Sequence, residues 1–261
     1  MRKLIQHGVI YIVLAFLYLP ILILAFYSFT SSTMIGQVRG FSLANYETLF
    51  TEPELLSMMF GTLALAVGVA ILSTLLGTTG AVGAFYSKKG LSQTVDIFNE
   101  IPIVNADVVT GFSVCIFLIV LLHLNKETFV PLVVAQTTLC APFVYLSVMP
   151  RLKMMDHSLY EAALDLGCKP SQALFKVVLP QIMPGILSGF MTAITLSLDD
   201  YFIATYTKPA TFDTISTYVV NATRGSQTTI KTALWALSSV MFVIVVVIVI
   251  FMNIDAKKED E

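Results

Sequence analysis

Charge is scarce in this chain. Of its 261 residues only 12% are Asp, Glu, Lys or Arg, whereas 56% are hydrophobic and the mean hydropathy is +0.83. That composition lies outside the soluble globular range. Cysteine and histidine are rare, three of each. Cys115 and Cys140 fall in apolar stretches, Cys168 falls in a polar segment, and His7, His123 and His157 are far apart in sequence. Neither a disulfide framework nor a metal site has the spacing it needs. A Gly-rich phosphate loop is also missing, so any ATP chemistry belongs to another protein. A multi-span membrane enzyme would need reactive side chains gathered at one interface, and these scattered residues do not supply them. No catalytic residue, no metal and no nucleic-acid partner is expected.

What the chain has is long apolar runs. A membrane-crossing helix takes about 20 apolar residues, and stretches of that kind are expected at 9–29, 59–84, 105–124, 129–149, 184–206 and 232–253. Six spans in an all-α membrane protein follow, with 1–261 as one membrane unit. The first run is too long for a signal-peptide core and has no small-residue cleavage site, so it reads as a retained helix kinked at Pro20. With both termini in the cytoplasm, ten Lys and Arg lie inside (Arg2, Lys3, Lys88, Lys89, Arg151, Lys153, Lys169, Lys176, Lys257, Lys258) and five outside (Arg39, Lys126, Lys208, Arg224, Lys231). The positive-inside rule favours this orientation.

Between spans, Leu43, Tyr46, Leu49 and Phe50 recur at helical spacing after Ser42, which predicts a short amphipathic helix on the outer surface. The second run carries Gly61, Gly68, Gly77, Gly80 and Gly83 among Ala, Ser and Thr, the composition of a closely packed membrane helix.

The long polar interruption at 157–180 carries the sharpest motif. Ser158 and Glu161 have capping-box spacing, Gly167 suits a left-handed C-cap, and Pro170 suits a first helical turn. Two short helices with a break are predicted there, on the cytoplasmic side. Glu161-Ala162-Ala163, Gly167 and Leu179-Pro180 fall within twenty positions, in a spacing that resembles the EAA loop of ABC importer permeases. The resemblance implies the type I importer permease fold, with the hairpin docking on a separate ATPase and transmitting its closure to the membrane helices.

Asp199-Asp200 lies in the fifth run, where an ionised carboxylate costs about 2.5 to 3.5 kcal/mol on insertion scales. Helical spacing puts Thr192, Thr195, Phe202 and Tyr206 on the face of Asp199. Hydroxyls, aromatic rings and a carboxylate together suit an ammonium group, since an aromatic face adds about 0.5 to 2 kcal/mol of cation–π attraction. Asp200, turned roughly 100° away, caps a kink or meets a partner subunit. The competing reading is a water-facing pair satisfied by Lys208. Asp107 either lines the same path or sits in a first helical turn for the sake of the helix dipole.

Ser197-Leu198-Asp199-Asp200, Arg151-Leu152-Lys153 and Phe41-Ser42 with Tyr46 are similar to the corresponding stretches of spermidine/putrescine importer permeases, nearest to their C-type subunit. Phe212-Asp213-Thr214 departs from them where Leu-Pro is expected, and the acidic pair is shared more loosely with permeases for ferric iron, thiamine and opines. The resemblance implies a bacterial cytoplasmic-membrane subunit that pairs with a homologous permease. It further implies an ATPase dimer carrying ATP-Mg, an extracytoplasmic substrate-binding protein and a polyamine substrate, with no cofactor on this chain. A free-standing secondary transporter is the alternative from another class, but it would have no use for a coupling hairpin.

Overall fold

The computed structural model describes residues 2–30, 40–105, 107–224 and 228–259. In chain order the helices are α1 (Arg2–Ser28), α2 (Ala44–Thr51), α3 (Pro53–Phe85), α4 (Lys89–Val104), α5 (Asp107–Cys115), α6 (Val130–Met154), α7 (His157–Asp165), α8 (Pro170–Ala173), α9 (Leu179–Asp199), α10 (Phe202–Thr207), α11 (Ile215–Arg224) and α12 (Thr228–Glu259). Wider π-turns at Ile116–Leu121 and Leu174–Val178 continue α5 and join α8 to α9.

Among the described residues four helices are long and apolar enough to cross a membrane: Val9–Ser28, Pro53–Phe85, Val130–Met154 and Pro170–Asp199. A fifth span results if α4 and the Asp107–Leu121 segment, which lie at 106° to each other, are counted as one bent element. Six spans were expected, at 9–29, 59–84, 105–124, 129–149, 184–206 and 232–253. The third differs because α5 with its π-turn is only 107–121, and the sixth because the apolar part of α12 described here is Ala233–Val247.

Contacts divide the chain into two units. One comprises Met1–Ser57 and Val219–Phe251. In it the end of α1 is fastened to α2. The buried Asn45 amide donates to the carbonyls of Ser28 and Thr30 at 3.0 and 2.8 Å, supplying partners that a helix C-terminus lacks. Ser28 and Tyr46 share a hydroxyl hydrogen bond of 2.8 Å, and the Phe29 ring meets those of Phe41 and Tyr46 at 5.8 and 5.0 Å. The short helix expected between the first two spans is therefore present, with its own Leu49 buried. It starts at Ala44 with Leu43 at the cap position, and Ser42 accepts the Ala44 N–H at 3.2 Å instead of capping the following turn. Trp235 rests on the Tyr27 ring at 5.6 Å.

The other unit comprises Met58–Tyr218 and Met252–Glu261, and α6 is its axis. Val144 of α6 is gripped from two sides. A Cβ on Gly77 of α3 would fall 2.7 Å from the Val144 Cβ and 2.8 Å from the Ala141 carbonyl, and a Cβ on Gly189 of α9 would fall 3.0 Å from Val144. Gly185 lies as close to the Ser147 carbonyl and the Arg151 stem. These are the near backbone approaches that small residues allow where lipid offers no hydrophobic contrast. Of the glycines in α3, Gly77 and Gly61 make such contacts, whereas Gly68 and Gly83 face open space. α4 is held to α6 by the Tyr145 hydroxyl, which donates to Asp96, and by the Asn99 amide, which donates to the Pro142 carbonyl at 3.2 Å.

Candidate functional site: a coupling hairpin and two broken helices

The first arm of the hairpin, α7, is capped by Asp156, whose carboxylate accepts the Ser158 N–H at 2.9 Å. The expected Ser158 to Glu161 capping box is not what starts the helix, because Asp156 already occupies the cap position one residue before it. At the other end the Cys168 N–H bonds the Ala163 carbonyl at 3.0 Å and the Gly167 N–H bonds the Leu164 carbonyl at 2.9 Å. That pair defines a Schellman cap, and Gly167 sits in the left-handed region with φ 85°. Lys169 and Pro170 then open the second arm, with the Gln172 side chain accepting the Lys169 N–H at 3.1 Å.

This second arm is not a separate short helix. Residues 170–199 run as one 30-residue helix from the hairpin through the membrane. The π-turn before Pro180 has a local cause. Proline has no N–H to give the carbonyl four residues back and its ring crowds that carbonyl. Here the turn widens, and the Leu179 N–H reaches the Leu174 carbonyl instead. Leu179-Pro180 thus marks the junction between the second hairpin arm and the span.

Ala163 is buried in the hairpin, whereas Glu161, Ala162 and Gly167 are exposed. Leu166 is 86% exposed, and Leu159 and Phe175 also present apolar surface. The Tyr160 ring meets Tyr86, just beyond the end of α3, at 5.2 Å. Burial and the neighbouring Tyr160 phenol hold the Tyr86 hydroxyl above its usual range.

The second constellation lies where two spans are interrupted. α9 ends at Asp199, Asp200 adopts extended backbone, and α10 restarts at Phe202. Asp200 is buried at 8% exposure. It accepts the N–H groups of Ile203 and Ala204, both at 3.0 Å, and the Gln136 amide of α6 at 2.8 Å. Ser197 donates to the same Gln136 side chain at 2.8 Å. α5 packs against α10: the Gly111 backbone approaches Ile203, Phe112 meets Tyr206 edge-on at 5.7 Å, and the Cys115 thiol donates to the Tyr206 carbonyl at 3.3 Å. Asp107, first residue of α5, comes within electrostatic reach of Asp200.

The continuous helix face expected for Asp199 does not extend past it. Phe202 and Tyr206 belong to α10, because the Asp200 carboxylate takes up backbone N–H groups of the new helix at the point where α9 stops. Thr192, Thr195 and Asp199 do share a face of α9, with Ser188 one turn below. The hydroxyls of Thr192 and Thr195 bond back to Ser188 and Met191, and Asp199 is exposed with no hydrogen-bond or ion-pair partner among the described residues. Lys208 does not serve the pair. It forms an ion pair with Asp213 at 2.8 Å and donates to the Phe212 carbonyl. Gln136 was not singled out from sequence, although a lone amide amid the apolar residues of α6 was a signal available to be read.

An all-helical chain with membrane-length helices, broken spans and a hairpin continuous with one of them has the architecture of a transporter's membrane subunit. Residues 73–258 match the family described as binding-protein-dependent transport system inner membrane component, and the chain belongs to that family. It is 33% identical over 218 residues to the putrescine transport system permease protein PotI of Escherichia coli (strain K12), covering 80% of this chain and 76% of that relative. It is 26% identical over 260 residues to the spermidine/putrescine transport system permease protein PotC of Haemophilus influenzae, covering 99% of each. Its fold is similar to a chain in the crystal structure of a bacterial ABC transporter involved in alginate import, with TM-score 0.78 at 19% identity, covering 98% of this chain and 96% of that one. The protein is a multi-pass inner-membrane permease subunit.

Proposed function

We propose that this chain forms half of the translocation path of an ATP-driven polyamine importer of the spermidine and putrescine class. The observation that carries the reading is the setting of Asp199. Its carboxylate is exposed and, among the described residues, unpaired at the C-terminal end of α9, where the helix dipole is already negative, so an acidic side chain there is unfavourable unless a cation approaches. Asp107 lies within electrostatic reach of Asp200, the residue that follows Asp199. Discontinuous helices at mid-membrane are where transporters bind substrates, with C-terminal half-helix ends facing cations. The names of the relatives, putrescine and spermidine permeases, are consistent with a polycation on this path.

In this reading a homologous permease supplies the other half and a binding protein delivers substrate from the extracytoplasmic side. An ATPase dimer carrying ATP-Mg docks beneath the hairpin, both termini are cytoplasmic, and this chain needs no cofactor. The exposed Leu159, Leu166 and Phe175 offer that ATPase an apolar surface. Closure of the dimer on ATP draws the two hairpins together. Because Pro170–Asp199 is one helix, displacement at the hairpin is carried to Asp199 without an intervening loop, and the cavity opens outward. No covalent chemistry takes place on the chain.

Uptake of radiolabelled spermidine and putrescine by the complex in proteoliposomes tests the substrate. ATP-dependent accumulation that resists competition by thiamine, ferric iron or an opine is expected. Accumulation of one of those competitors, with no polyamine uptake, would reassign it.

A further inference from the structure

Gln136 is completely buried in the fourth run of apolar residues, and both ends of its side chain are used. The amide nitrogen donates to Asp200 Oδ2 at 2.8 Å, and the amide oxygen accepts the Ser197 hydroxyl at 2.8 Å. Ser197 and Asp200 flank Asp199, one in the last turn of α9 and one in the break. Asp200 in turn holds the first turn of α10 through the N–H groups of Ile203 and Ala204. One side chain from α6 therefore grips the broken helix on both sides of the exposed carboxylate. The Ser216 hydroxyl also holds the last turn of α9, donating to the Leu198 carbonyl at 2.8 Å, but it does not reach the Asp200 side of the break.

We infer that Gln136 is a positioning residue of the transport path, acting through Ser197 and Asp200 to fix the direction in which Asp199 faces. The inference rests on reading Asp199 as a carboxylate of that path. An amide is the group the geometry requires, since one end must donate to a carboxylate while the other accepts a hydroxyl. Glu at 136 sets two carboxylates against each other. Met fills similar volume but leaves the Ser197 hydroxyl and an Asp200 oxygen without that partner, and such losses in a buried network are costly.

The test uses the whole permease, ATPase and binding-protein complex in proteoliposomes. Gln136→Glu should lower spermidine uptake at least tenfold. Combining it with Asp200→Asn lets the new amide donate to the new carboxylate, but the same Asp200 Oδ2 position also accepts the Ala204 N–H, so the double variant should recover uptake in part, to at least threefold above Gln136→Glu alone. A second readout follows direction rather than folding. Asp199→Cys, in a background with Cys115, Cys140 and Cys168 replaced by Ser, is treated with a cationic and a neutral water-soluble thiol reagent. Gln136→Met should change the ratio of the two rates several-fold, whereas general loosening would raise both rates together. If the parent complex takes up no polyamine, the substrate assignment fails while the rate ratio still tests the positioning. Parental uptake and an unchanged ratio in assembled Gln136→Met would overturn the inference, as would a double variant no better than Gln136→Glu alone.

Discussion

Val144 is clasped between Gly77 and Gly189, so three membrane helices meet at one valine with backbone-close contacts on two sides. This joint sits partway along the helix that leads from the hairpin to Asp199. A lever transmits displacement only if its bearing is stiff, and protein interiors packed at crystal-like density yield little.

Adding a methyl at Gly77 meets the Ala141 carbonyl, which belongs to the α6 backbone and cannot rotate away. Gly77→Ala should therefore destabilise the subunit by about 1–3 kcal/mol. Gly189→Ala meets the Val144 Cγ1 at 3.0 Å, which can be trimmed, and the Val144 Cα at 3.1 Å, which cannot. Val144→Ala should relieve Gly189→Ala in part and more than it relieves Gly77→Ala, as read from thermal aggregation of the detergent-solubilised complex.

At Gly167 no atom lies within 4 Å of an added Cβ, and φ is 85°. The constraint is conformational. Gly167→Asn should keep coupling, because Asn tolerates the left-handed region, whereas Gly167→Val should strain the cap by about 1–2 kcal/mol. The measurement is substrate imported per ATP hydrolysed in proteoliposomes, expected to fall with Val and to hold with Asn.

Orientation is read by chemical labelling. Ser171 and Lys126 are both exposed, Ser171 in the hairpin and Lys126 in the turn before α6. In intact cells a cysteine at position 126 should react with a membrane-impermeant thiol reagent, and one at position 171 should react only after permeabilisation. The opposite pattern would put the hairpin outside and end its role as an ATPase dock.

Much of this architecture was legible in the sequence, and the reason differs by element. Gly167 stood out because few residues adopt positive φ, and the outer helix stood out through its periodicity. The interruption of the fifth run was legible only as one of two readings of Asp200, a cap at a kink, since Asp200-Tyr201-Phe202 contains neither Gly nor Pro to mark a break. What breaks the helix is a side chain competing for backbone N–H groups, assisted by an amide that is 64 positions distant in sequence. Composition and spacing do not report such a contact. The second arm differs for the opposite reason: a hairpin over 157–180 and a span from 184 are separate in the sequence pattern, but the π-turn lets one helix run through both.

Asp199 and Asp200 differ in burial and partners, so their substitutions should separate. Asp199→Asn keeps shape and removes charge from an exposed side chain with nothing to hold in place. Assembly and thermal stability should stay at the parental level while polyamine uptake falls tenfold or more. Asp200→Ala removes the acceptor for Ile203, Ala204 and Gln136 together. Loss of a cap costs about 0.5–2 kcal/mol and each stranded buried donor about 1–3 kcal/mol, so this variant should assemble poorly before transport is even measured. Asp200→Asn, which retains an acceptor for one of the two α10 N–H groups, should fall between them in stability. The comparison is made by size-exclusion yield, melting temperature and initial uptake rate on the same preparations. Parental uptake by Asp199→Asn would remove that carboxylate from the path, and leave the break as a structural joint held by Asp200.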